Sequence, residues 1–299
     1  MELIGALRAD PLVFALVAAL FGLMVGSFLN VVIHRLPRML ERQWRAECAE
    51  LAAGGVAGGQ PPEPGPRYNL LTPRSACPAC GAQIKALHNI PLVSWLALRG
   101  RCAACGAPIS VRYPLVELAT GVAFALVAWR FGFGWEAGCG LVITALLIAM
   151  TGIDIDTQLL PDVLTLPLMW LGLLAAAWLG RGAAPFPVEL KSAVLGAAFG
   201  YLSLWSVYWL FKLLTGKEGM GYGDFKLFGA LGAWLGWQML LPVILFAAGT
   251  GAVLGIALIL ARRRGREVPI PFGPYLAIAG WLVMMFAPEL VAPWWSLSR

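Results

Sequence analysis

The chain has 299 residues, of which 60% are hydrophobic and only 13% charged, with a formal net charge of +6 and a mean hydropathy of +0.77. A water-soluble domain carries about 25% charged residues and about 45–50% apolar ones, so this composition excludes a soluble globular fold and calls for a lipid solvent. The excess of cations does not point to nucleic acid, because it is gathered in clusters that flank apolar stretches, as topology signals of membrane proteins are.

In chain order, the first element is an uncharged run of 22 residues at 12–33. As a helix it reaches roughly 30 Å, the thickness of the hydrocarbon layer. The basic cluster His34-Arg35-Leu-Pro-Arg38 follows this run. A signal peptide places its positive charge before a shorter apolar region, so a retained first membrane helix is expected. A polar segment at 35–113 comes next. Its stretch at 51–66, rich in Gly, Pro and Ala, reads as a flexible linker. Seven further apolar spans are expected at about 114–129, 137–153, 161–179, 192–214, 225–237, 240–261 and 272–290. Those at 114–129 and 225–237 are short for a crossing. Pro114 and Pro161 open their spans, where a first turn tolerates a missing N–H.

The charges orient these spans. With 35–113 in the cytoplasm, alternation places Lys212, Lys217 and the arginine cluster at 262–266 on the same side. The other side keeps Arg8, Arg130, Arg181, Lys191 and Arg299, with Trp129, Trp135, Trp294 and Trp295 as an aromatic belt. The expectation is an all-α polytopic membrane protein of about eight transmembrane helices, with a small cytoplasmic zinc-ribbon-like insertion after helix one and both termini outside. Its divisions are 1–34 for the first helix, 35–113 for the linker and cysteine domain, and 114–299 for a seven-helix membrane domain.

That orientation brings two acidic segments to one membrane face. Ile153-Asp154-Ile-Asp156-Thr-Gln-Leu-Leu-Pro-Asp162 ends one span and starts the next, and Gly221-Tyr-Gly-Asp224 precedes the span at 225–237. Carboxylates at a bilayer boundary are costly and tend to carry function. Two facing carboxylates that share a proton suit aspartic proteolysis: one takes a proton from water while the other donates to the scissile carbonyl. Asp154 and Asp224 are the expected catalytic pair. Asp156, two residues on, points elsewhere on a helix. Asp162 fits a helix-start residue, since Pro161-Asp162 opens a span. Glu117 either orients polar groups nearby or is a solvated acid at a helix start.

Cys77-Pro-Ala-Cys80-Gly and Cys102-Ala-Ala-Cys105-Gly are two C-x-x-C-G knuckles with 21 residues between them. The spacing lets both thiolates of a knuckle reach one ion, and the glycine permits the tight turn after it. A structural Zn²⁺ held by Cys77, Cys80, Cys102 and Cys105 is therefore expected; disulfides are the alternative, disfavoured in a cytoplasmic loop. The intervening loop around Trp95 is apolar and suits a membrane surface or a hydrophobic peptide better than phosphate. Cys48 and Cys139 receive no role.

Taken together, several motifs resemble the bacterial type IV prepilin peptidases, nearly end to end and in order. They are Gly26-Ser-Phe-Leu-Asn30-Val-Val-Ile-His34-Arg35-Leu-Pro37, the two knuckles, Tyr113-Pro-Leu-Val-Glu117, the Asp154 and Asp224 segments, and Pro269-Ile-Pro-Phe-Gly-Pro274. The resemblance implies an inner-membrane aspartic endopeptidase of the Gly-x-Gly-Asp type. Such enzymes remove the basic leader of type IV prepilins and type II secretion pseudopilins, after a Gly and before a Phe. It also implies periplasmic termini, a cytoplasmic active site, and Asp154 and Asp224 as the catalytic residues. Many members then methylate the new amino terminus with S-adenosylmethionine, and the family's methylation-linked glycine falls on Gly100; that cofactor rests on the resemblance alone. The partners implied are prepilins, pseudopilins and the bilayer, with no nucleic acid. The linker at 54–66 and the outer loop at 180–191 are longer than the family pattern leads one to expect. Two other classes remain: a cation- or proton-coupled transporter, which calls for acids at mid-membrane in repeated, broken helices, and a non-catalytic zinc-ribbon scaffold. No internal repeat is found, and the acids sit at span ends.

Overall fold

A computed structural model describes residues 2–53, 68–180, 186, 188–260 and 271–295. The linker at 54–66, half of the loop at 180–191, the arginine cluster at 262–266 and the start of the Pro269 motif lie outside the described residues. Ten α-helices follow one another among the described residues: α1 (Glu2–Ala9), α2 (Pro11–Ala53), α3 (Val93–Ala97), α4 (Arg112–Phe131), α5 (Trp135–Thr157), α6 (Asp162–Leu179), α7 (Leu190–Thr215), α8 (Tyr222–Leu235), α9 (Leu240–Leu260) and α10 (Gly273–Trp295). The only extended pairings among them are two isolated bridges in the cysteine segment. Each of the eight expected spans falls on one of α2 and α4 to α10. Among the described residues six helices are long and apolar enough to cross a membrane, and Gly273–Phe286 forms a shorter apolar helix. The fold is the expected multi-pass, all-helical one.

The helix carrying the first apolar run does not stop at its basic end. α2 passes through Pro37 and continues to Ala53, taking in the first residues of the stretch that reads as linker. Residues 38–53 are mostly strong helix formers, and the Arg45–Glu41 and Gln43–Glu47 pairs link successive turns. Sequence composition marks a flexible linker by its glycines, and those begin only at Gly54.

The chain divides into two compact units, residues 17–123 and residues 1–16 with 124–299. In the smaller unit α2 and α4 lie close together. A side chain at Gly26 would meet the Glu117 Cα at 2.7 Å, Asn30 Nδ2 donates to the Tyr113 carbonyl at 3.0 Å, and Gly121 packs under Leu23. In the larger unit the core gathers on α8. Every residue from Leu227 to Leu235 is buried, so this short helix is sheathed by protein rather than lipid, which is why a span of such length suffices. α7 comes near enough that a methyl at Gly196 or Gly232 would run into the facing backbone, and Gly200 lies against the Phe228 carbonyl. Gly196 and Gly200 form a small-xxx-small pair, the pattern that lets membrane helices approach closely. α6 is joined through Trp234, whose Nε1 donates to the Leu168 carbonyl at 2.7 Å over the gap left by Gly172.

Candidate active site

Asp154 lies in the last turn of α5, which ends at Gln158 in the left-handed conformation (φ 55°, ψ 33°). Asp224 is the third residue of α8, behind the N-cap Gly221. There it meets the positive end of the helix dipole, at the position the acid of a capping box takes. Asp154 is 5% exposed and Asp224 7%, whereas Asp156 is exposed. The two carboxyl groups lie near enough to influence one another. Two acids from distant parts of the chain are thus brought together and taken out of water.

Close backbone approaches achieve this. A Cβ on Gly223 would lie 2.6 Å from the Leu160 Cβ, so the first turn of α8 rests on the loop that follows Asp154. A Cβ on Gly273, the first residue of α10, would lie 2.6 Å from Asp154 Oδ2 and 3.0 Å from Leu160 Cδ1. Three chain segments therefore converge on Leu160, and two of them need glycine to do so. Gly221 is different: a Cβ there would find only Asp224 Oδ2, at 3.7 Å. The Gly273 amide interacts with the Asp154 carboxylate, yet Asp154 Oδ2 is buried with no hydrogen-bond partner among the described residues. Buried polar atoms are seldom left so.

Asp162 is the first residue of α6, behind the N-cap Pro161. Both of its oxygens accept from Lys226 Nζ, at 2.6 and 2.7 Å. That pair clasps the start of α6 to the first turns of α8. Lys226, Gly273 and Leu160 were not singled out by sequence reasoning. The signals available were a lysine two residues past Asp224 and a glycine between two prolines.

The four cysteines form a second site. Their sulfurs all lie within 4.8 Å of one another, with Cys77 and Cys105 Sγ 3.9 Å apart. A tetrahedral zinc with bonds of about 2.3 Å separates its sulfurs by about 3.8 Å, so the set fits such an ion. The two knuckles are built alike. Gly81 and Gly106 donate to the Cys77 and Cys102 carbonyls from positive φ (71° and 72°), and the Cys77 and Cys102 amides donate to Ala82 and Ala107. Backbone N–H groups of Cys105 and Ala104 lower the Cys102 thiol to a pKa of about 7, towards the thiolate a metal needs.

Glu117 is buried, and its Oε2 accepts from the Leu92 amide at 2.8 Å, so it orients the loop between the knuckles. Gly100 is buried at φ 68°, its amide bonded to the Trp95 carbonyl at 2.9 Å. The space over its α-carbon is filled by the Trp95 ring, 2.9 Å from where a Cβ would stand. This is a turn packed on an aromatic ring, and it offers no open cradle for a methyl donor.

Comparison with known proteins places these features in context. Residues 20–131 match the bacterial peptidase A24 N-terminal domain, and residues 141–256 match the type IV leader peptidase family. A protein of Pseudomonas aeruginosa is 55% identical over 97% of this chain and 96% of its own length. One of Stutzerimonas stutzeri is 53% identical over 98% of both chains, and one of Aeromonas salmonicida is 55% identical over 96% of this chain and 95% of its own. All three bear the name prepilin leader peptidase/N-methyltransferase. No solved structure matches this chain.

Proposed function

The chain belongs to the type IV leader peptidase family, and from that premise we propose that it is a membrane aspartic endopeptidase whose catalytic residues are Asp154 and Asp224. The observation that carries the reading is the buried, unpartnered Asp154 Oδ2 beside a second buried carboxylate. Like charges this near, in low dielectric, hold one proton between them. The ionised member takes a proton from a water molecule as its oxygen attacks the scissile carbonyl. The protonated member donates to the carbonyl oxygen. The tetrahedral species then collapses: the carboxyl that took the water's proton passes it to the departing amine, the C–N bond breaks, and the other carboxylate recovers a proton from the gem-diol.

The substrates are prepilins and pseudopilins whose apolar stem lies in the bilayer and whose basic leader lies in the cytoplasm. The site faces the cytoplasm and both termini face the periplasm; the placement of the cations about the spans supports this. The segment at 35–113 is the zinc-bearing domain, with Cys77, Cys80, Cys102 and Cys105 as ligands of a structural Zn²⁺ that closes the ribbon. The seven-helix segment at 114–299 holds the aspartates. The names of the relatives support methylation of the new amino terminus. The expected donor, S-adenosylmethionine, would supply the methyl group; Gly100 supports that step through the shape of its loop rather than by touching the donor.

The test is cleavage of a prepilin in vesicles, read by mass. Asp154→Asn and Asp224→Asn should each lower the rate by about 10³-fold or more, while Asp156→Asn stays within about tenfold. Cleavage retained by either of the first two variants would remove that aspartate from the mechanism.

A further inference from the structure

The loop between the knuckles carries a row of apolar side chains that its own unit does not cover: Leu87, Ile90, Val93 and Leu96 are 74%, 43%, 60% and 66% exposed. We propose that this loop is a lipid-docking element that lies in the headgroup layer of the bilayer and seats the cysteine ribbon there. The proposal rests on α2 and α4 being membrane helices, and not on the catalytic reading.

Depth decides the occupant. Glu117 packs against Gly26 of α2. Gly26 lies eight residues before His34, where the apolar run ends, or about 12 Å along the helix axis. On its own helix Glu117 is five residues past Arg112, about 7.5 Å inside the start of α4. A helical side chain leans back towards the helix start, which lifts the carboxylate only part of that way. The Leu92 amide nevertheless reaches it at 2.8 Å. The backbone at Leu92 is therefore held at or below the level of Arg112, and Ile90 and Val93, two and one residues away, share that level.

The loop is also bent so as to reach down. Leu92 has φ 59° and ψ −50°, and Val93 donates to the Pro91 carbonyl across it at 2.6 Å. This is a γ-turn of positive φ, a strained form that persists only where surroundings impose it. Glu117 supplies that constraint. A carboxylate inside an apolar helix is costly unless bonded, so the loop and the acid each satisfy the other. With the Leu92 amide paired to Glu117 and its apolar side chains outward, the segment has the build of an interfacial anchor.

The experiment places p-benzoylphenylalanine at position 93, 96 or 45 of the full chain in vesicles of phosphatidylethanolamine and phosphatidylglycerol. Irradiation is followed by mass spectrometry. Position 45 is the control: Arg45 is exposed on the polar part of α2, eleven residues beyond His34, or about 16 Å. Phospholipid adducts at 93 and 96 should exceed those at 45 by about tenfold or more. Equal yields, or adducts at 93 and 96 formed only with an added prepilin, would overturn the proposal, the latter in favour of a peptide-docking loop. Glu117→Ala should cut the lipid adducts at 93 and 96 severalfold, and Glu117→Gln, which keeps an acceptor, should restore them. Should Glu117→Ala fail to fold, the comparison among 93, 96 and 45 in the otherwise unaltered chain still decides.

Discussion

In the cysteine ribbon, every bond that shapes the site joins residues close in sequence. The knuckle hydrogen bonds join residues four or five apart, and the most distant ligands, Cys77 and Cys105, are 28 apart. The aspartate site is the reverse case: Asp154 and Asp224 are 70 residues apart (224 − 154), and Gly273 is 49 beyond that (273 − 224). The ribbon's cysteines are exposed or half-exposed, so little packing holds them, and their sulfurs are gathered closely enough to take an ion. The aspartates are held by buried helices and by close approaches at Gly223 and Gly273. A local motif stabilised by a ligand and a long-range site stabilised by packing should therefore fail under different insults.

The largest effect belongs to the ribbon. Cys77→Ser, or a strong chelator, should release the metal and unfold residues 68–110, since binding of a structural zinc is worth about 10 kcal/mol or more. Metal content and protease resistance of that segment would report it, with overall helicity retained. If the ribbon stayed resistant without metal, packing would be holding it after all. On the other side of the comparison, Gly273→Ala and Gly223→Ala should each slow leader cleavage about 10²-fold, because a displacement of the order of 1 Å at a catalytic group has that cost. Gly221→Ala, with its Cβ at an ordinary 3.7 Å, should stay within about threefold of the parent rate. A reversed order for Gly221 and Gly223 would contradict the seating of α8 on Leu160.

Smaller effects sharpen the same contrast. Gly100→Ala forces a Cβ at φ 68° against Trp95, costing about 1–2 kcal/mol in the ribbon. It should lower the ribbon's melting temperature and the yield of methylated product, with leader cleavage unchanged. Lys226→Gln and Asp162→Asn remove a partly exposed pair worth under about 1 kcal/mol. Each should slow cleavage by less than about fivefold, and the double variant should be no worse than the singles. A larger loss would make the pair a determinant of the distance between the aspartates.

The candidate metal ligands were legible in the sequence because their geometry is a matter of spacing: C-x-x-C-G states which atoms can meet. The membrane helices were legible because lipid demands long apolar runs, whatever they pack against. The sequence already preferred Asp154 to Asp156; that the first is buried and the second exposed is set by how the end of α5 faces its neighbours, which spacing alone does not say. Glu117 read equally well as a solvated acid until the Leu92 amide was found on it.

By itself the sequence determined the solvent, the approximate spans, the cysteine set and the two segments from which an aspartate pair could come, since each is set by composition or short-range spacing. Tertiary structure alone decided that α8 is sheathed by its neighbours, that Gly223 and Gly273 but not Gly221 must lack a side chain, and that Asp162 pairs with Lys226 of α8. Those outcomes depend on which surfaces meet when helices distant in sequence pack. The excluded volume between two backbones belongs to their contact and is written in neither segment alone.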